Sequence, residues 1–157
     1  MLATIPGQQK EAEKALTGAI AVSEGATLPL SPAYLQLSGP EFRVKTRQAA
    51  LRIRELSAHL IPPYRDHWYH HILAFHAGLI DDAELLKKAG EFRYNQCEAH
   101  FYIGLGKLAE GKRAEAKACF RRSMESGVFV FGEYIFSRAF LVRIDDPEWL
   151  PWCPVKE

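Results

Sequence analysis

The sequence predicts an all-α chain. Apolar residues recur at three- and four-residue spacing, the periodic stretches stop at glycine or proline, and no stretch reads as a strand. About six to seven helices are expected, followed by an irregular Pro/Trp tail. At 157 residues the chain has the size of one domain. The expectation is a single α-helical domain over residues 1–146 and a tail over 147–157.

The first helix is expected from Gln8 to Ser23, where Ala12, Ala15, Leu16, Ala19 and Ile20 make a narrow apolar stripe, and Gly25 ends it. Residues 25–40 hold three prolines and two glycines and read as an ordered connector. A second helix from Glu41 to Leu60 places Ala49, Ile53, Leu56 and Leu60 on one face. Pro62-Pro63 stops it, because proline disfavours helix in the residue before it. A third runs from Asp66 to Leu79 with Trp68, Ile72, Phe75 and Leu79 inward. Asp81 with Glu84 has the spacing of a capping box and starts a short helix to Lys88, closed by Gly90 in the left-handed conformation. Asn95 with Glu98 makes a second box. From there one helix runs to Glu110, Gly111 turns the chain, another runs to Ser126, and Gly127 stops it. The last helix, from Phe131 to Ile144, ends before Asp145-Asp146-Pro147. The tail PEWLPWCPVKE carries three prolines and two tryptophans and is not helical.

Composition removes several function classes. Lysine and arginine number 20 against 19 acidic residues, so no net field recruits nucleic acid or an anionic surface. The basic residues Arg43, Lys45, Arg47, Arg52 and Arg54, and again Lys112, Arg113, Lys117, Arg121 and Arg122, read as solvated faces. No apolar run approaches the ~20 residues of a membrane span. Cys97, Cys119 and Cys153 form no CxxC pair, which argues against a disulfide framework or a zinc motif, and reduced thiols are expected. The start has neither a basic, then apolar export signal nor a lipid-attachment cysteine. The default location is therefore cytoplasmic, or periplasmic and envelope-associated if a signal was removed.

The stretch CEAHFYIGLGKLAEGKRAEAKACFRRSMESG resembles a tetratricopeptide repeat, a ~34-residue hairpin of two antiparallel helices. Ile103-Gly104 stands where that family has Leu-Gly, Gly111 at the turn glycine, Ala116 and Ser123 at small positions, and Phe120 at the aromatic between them. The departures are His100 where the family favours Trp, Lys107 where it favours Tyr, and Val128 where it often has Pro. The clearest repeat is 97–127. A degenerate one covers 66–90 with Trp68, Ile72, Phe75, Gly78 and Ala83 in place, and a capping helix covers 131–144 with Tyr134 in phase after His100. Residues 66–144 further resemble the C-terminal repeats of new-lipoprotein-I-like bacterial proteins. The resemblance implies hairpins stacked as a short right-handed solenoid, and a scaffold or adaptor that docks other proteins in the cell envelope.

Solenoids bind along a concave face. The groove-lining positions implied by the resemblance are Glu98, Phe101, Leu105 and Leu108, with Ile135, Ala139 and Val142 on the next helix. That lining is apolar and either is covered by another helix, the tail or a second copy of the chain, or stays open to an amphipathic helix or an extended apolar peptide, with Glu98 at the rim orienting it. Leu105→Glu should then abolish binding and leave the fold intact. Trp149 and Trp152, flanked by prolines, form a preordered anchor that docks either on the chain's own last helix or in a partner, including a second copy of the chain.

Two further readings stay open. His67, His70 and His71 bring imidazoles to helical spacing, as two metal ligands would be, although no HExxH and no carboxylate at the right spacing completes the set. Homo-oligomerisation through the tail is the other. Nothing supports catalysis. IGLGKLAEGK lies within a helix rather than opening one from a strand, and Cys119 with His100 lacks an orienting third group. No cofactor is implied.

Overall fold

The computed structural model describes residues 68–149, together with residues 44, 46–48, 50, 51, 54 and 55. The expected first helix, the connector, the inward face of the second helix (Ala49, Ile53, Leu56, Leu60), and His67 and Trp152 lie outside the described residues. All regular structure among the described residues is α-helical. The chain divides into two compact units, Met1–Asp81 and Asp82–Glu157.

In the first unit the described residues between Val44 and Glu55 are helical, and α1 covers Trp68–His76. Ala50, Leu73 and Ala77 form a shared buried cluster. α1 buries His70, Ile72, Leu73, Ala74 and His76, more of its circumference than one stripe. It stops three residues before the expected Leu79, because Gly78 turns the chain at φ 72°. The Leu79 amide then folds back to donate to the Ala74 carbonyl at 2.9 Å.

The second unit holds α2 (Asp82–Ala89), α3 (Arg93–Ala109), α4 (Arg113–Glu125) and α5 (Gly132–Arg143). α2 begins directly after Asp81, carries acidic residues in its first turn and lysines in its last, and ends at Gly90 with φ 58°. α3 begins two residues before Asn95, so the second expected capping box is not used. Phe92 takes the N-cap place with no side-chain hydrogen bond, and the Tyr94 ring packs on Phe131 at 5.3 Å. This contact reaches into the loop before α5 and overrides the local capping preference.

α3 and α4 form an antiparallel hairpin. Lys107 faces Glu115 at the turn end, 3.7 Å apart, and Cys97 Sγ lies 3.4 Å from Ser123 Oγ at the open end. Gly111 makes the turn at φ 78°. The hairpin closes tightly because Gly104 has no side chain: a Cβ there would sit 2.6 Å from a ring carbon of Phe120. α5 packs against the hairpin through Phe140, whose ring lies 5.3 Å from Phe120 and 6.2 Å from Phe101. Phe101, Phe120 and Phe140 are the aromatic centre of the unit, all with 2% exposure or less.

Candidate functional site

α3 is buried on nearly every side, from Cys97 to Ala109. Phe101, Leu105 and Leu108 were expected to line a groove and have no exposed surface, and Glu98 is 8% exposed. These positions are corrected to core. Phe101 is enclosed by Phe120, Phe136 and Phe140, so a partner has no access to it. Leu105→Glu would therefore bury a charge and unfold the unit instead of sparing it. An apolar stripe read from sequence shows which residues share a face, and here the face on α3 is filled within the chain.

α5 behaves differently. Its inward positions are Glu133, Ser137, Phe140 and Ile144, at helical spacing and all buried. Its outward face carries Ile135, Ala139 and Val142, all exposed, with Ile135 at 53% and Val142 at 81%. Arg138 lies on the same outward face and has no ion pair among the described residues. Phe129 and Val130, in the loop leading into α5, are about as open at 71% and 70%. The helix thus buries Glu133 and Ser137 beside Phe140 and Ile144, and sets the apolar Ile135, Ala139 and Val142 beside Arg138 on its outward face, where an ordinary surface helix is polar. The inward Glu133 is satisfied: the Tyr102 hydroxyl donates to its carboxylate at 2.9 Å.

Trp149 is 3% exposed and packs its ring on Phe140 of α5 at 5.3 Å. Of the two places expected for Trp149, the structure shows the chain's own last helix, which takes Trp149 out of the partner-binding residues. Arg113 fixes this arrangement. Its guanidinium donates to the carbonyls of Ile144 at 3.0 Å, Asp146 at 2.9 Å and Trp149 at 2.5 Å, and Lys117 pairs with Asp145. Sequence reasoning counted Arg113 and Lys117 in a solvated face. The available signal was that both share a helical row with the buried Phe120.

Of the imidazole cluster, His70 and His71 lie among the described residues and belong to no candidate metal centre there. His70 is buried, His71 packs against Trp68 with ring centroids 6.3 Å apart, and no group of three ligand-type side chains able to hold a metal occurs among the described residues. The two described thiols, Cys97 and Cys119, are not activated. Burial pushes Cys97 upward, opposed by hydrogen bonds from Ser123 and Ser126, and burial also pushes Cys119 upward. Burial lowers His100, and the nearby Arg122 lowers it further, so Cys119 and His100 do not form a thiolate–imidazolium pair. No helix among the described residues is long and apolar enough to cross a membrane.

Over 111 residues the chain is 31% identical to a Haemophilus influenzae protein named as a homolog of lipoprotein NlpI. That stretch is 66% of this chain and 34% of the relative, so the chain spans about a third of the relative's length. No family model matches the chain, and no solved structure matches it.

Proposed function

We propose that the chain is a non-enzymatic protein–protein interaction module, an adaptor or scaffold, that binds a peptide or helix of a partner along the outward face of α5. The observation that carries this reading is the exposed row of Ile135, Ala139 and Val142, which repeats at the spacing an apolar helix or peptide would match. The all-helical fold, and the hairpin of α3 and α4 at the position expected for a tetratricopeptide-type repeat, support it. The partial likeness to a lipoprotein NlpI homolog agrees, and favours the cell envelope over the cytoplasm as the place of action. Of the expected groove residues, those on α5 are kept as the binding surface, and those on α3 become the support behind it.

The test is capture from an extract of the source cells by the wild-type chain and by the double variant Ile135→Glu, Val142→Glu, with circular dichroism showing that both fold. Proteins retained by the wild type and lost by the variant support the surface. Equal retention by both would place binding elsewhere.

A further inference from the structure

The second unit also holds a concavity with no α5 residue in its lining. α2, α3 and α4 enclose a cleft of about 340 Å³, open to solvent on one side and at the lower end of the size range for ligand sites. Its floor is apolar, made by Leu86, Ile103 and Ala118. His100 and Lys107 also line it, at the two positions where the resembled repeat has Trp and Tyr.

The two ends of the cleft differ in charge. At the hairpin-turn end the Lys107 ammonium is 2.6 Å from Asp82 and 3.7 Å from Glu115, so the cation there is neutralised within the chain. At the other end stand His100 and Arg122. The Arg122 guanidinium meets Glu125 at 3.4 Å, with both side chains more than 60% exposed, a contact of the kind that contributes little and gives way to a better anion. Glu115 and Arg122 are seven residues apart on α4, which sets the two ends roughly 10 Å apart. That is the length of an aromatic side chain with a carboxylate beyond it.

We propose that this cleft binds an aromatic side chain of a partner polypeptide that carries a carboxylate beside it, the ring lying on Leu86, Ile103 and Ala118 and the carboxylate on Arg122. Guanidinium is suited to both halves, since it stacks on ring faces and takes carboxylate bidentately. The ring belongs to a longer segment because the cleft is open on one side. A free ring would stay partly in water, whereas a segment gains further contacts at the rim. This site is independent of the α5 surface, and either can fail without the other.

The experiment follows the methyl NMR signals of Leu86, Ile103 and Ala118 while three probes are titrated: N-acetyl-tryptophan, N-acetyl-tryptophanamide and the peptide acetyl-Gly-Trp-Asp-Gly-amide. The expected result is a shift of these methyls below about 10 mM N-acetyl-tryptophan, with the amide about fivefold weaker and the peptide tightest. Arg122→Gln should remove the difference between acid and amide. Ala118→Phe, made at an exposed helix position and checked for folding by circular dichroism, should fill the cleft and abolish binding of all three. Absence of any methyl shift, equal binding of acid and amide to the wild type, or full binding to Ala118→Phe would overturn the site. Tighter binding of free N-acetyl-tryptophan than of the peptide would overturn the assignment to a partner chain.

Discussion

Gly104→Ala tests whether close approach of α3 and α4 holds the hairpin together. A Cβ at this position would lie 2.6 and 2.9 Å from two ring carbons of Phe120 and 3.2 Å from Cys119 Cβ. Carbon atoms prefer about 3.5–4.0 Å, so the ring must retreat by about 1 Å. Phe120 has no solvent to retreat into. It is fully buried and meets Phe140, which in turn meets Trp149, so the strain spreads through the aromatic centre. Overpacking of this kind costs about 1–3 kcal/mol. The helix gains about 1 kcal/mol when glycine becomes alanine, leaving a net loss of about 0–2 kcal/mol. Gly106 supplies the internal control: it lies in the same helix, and a Cβ there meets nothing within 4 Å. Gly106→Ala should therefore stabilise by about 0.5–1 kcal/mol. Urea unfolding followed by far-ultraviolet circular dichroism reads both as midpoint shifts of opposite sign. If both variants shift the midpoint upward by the same amount, Phe120 yields freely and close helix approach is not what fixes the pair.

Three further perturbations address the parts built around that centre. Arg113→Gln removes donors to three carbonyls and should cost about 2–3 kcal/mol while Trp149 emission shifts to the red in a background lacking the other tryptophans. Unchanged Trp149 emission would show that the Phe140 contact alone holds the tail. Tyr102→Phe strips the buried Glu133 carboxylate of its hydroxyl donor and should cost about 1.5–3 kcal/mol by urea unfolding, and a change within about 0.5 kcal/mol would contradict the bond. Burial holds His76 at about 3 against an ordinary 6.5, so between these values the unfolded chain binds the additional proton. Stability should thus fall by about 1.4 kcal/mol per pH unit as pH drops through that window. His76→Gln should flatten the slope, and an unaltered slope would assign it to other groups.

The turns were the most legible part of the sequence, because a glycine that must adopt positive φ marks its own position. Gly90, Gly111 and Gly127 were each expected as stops, and they sit at φ 58°, 78° and 68°. Asn95 misled for the complementary reason. A capping box is a local signal, and the ring contact of Tyr94 with Phe131 is a tertiary one that sequence spacing does not encode. The site was legible only on one side. Periodicity grouped Phe101, Leu105 and Leu108 as one face and Ile135, Ala139 and Val142 as another, but a period says nothing about whether a neighbour covers the face. Arg113 shows the same limit for charge, since a cation in a basic run reads as solvated until its carbonyl partners are known.

The distribution of polarity on α5 bears most directly on function. A surface helix is expected to offer polar groups to water, since exposed apolar area invites association. α5 instead spends Glu133 and Ser137 on its buried side, where Glu133 requires Tyr102 as donor, and sets Ile135, Ala139 and Val142 outward. Exchanging the two sets would remove a buried carboxylate and cover apolar surface at once, so stability alone does not favour the observed arrangement. The arrangement suits the contact proposed for the outer face. Trp149 docks on Phe140 at the inner side of the same helix and leaves that outer row exposed, so Trp149 and the proposed surface do not compete for one set of residues.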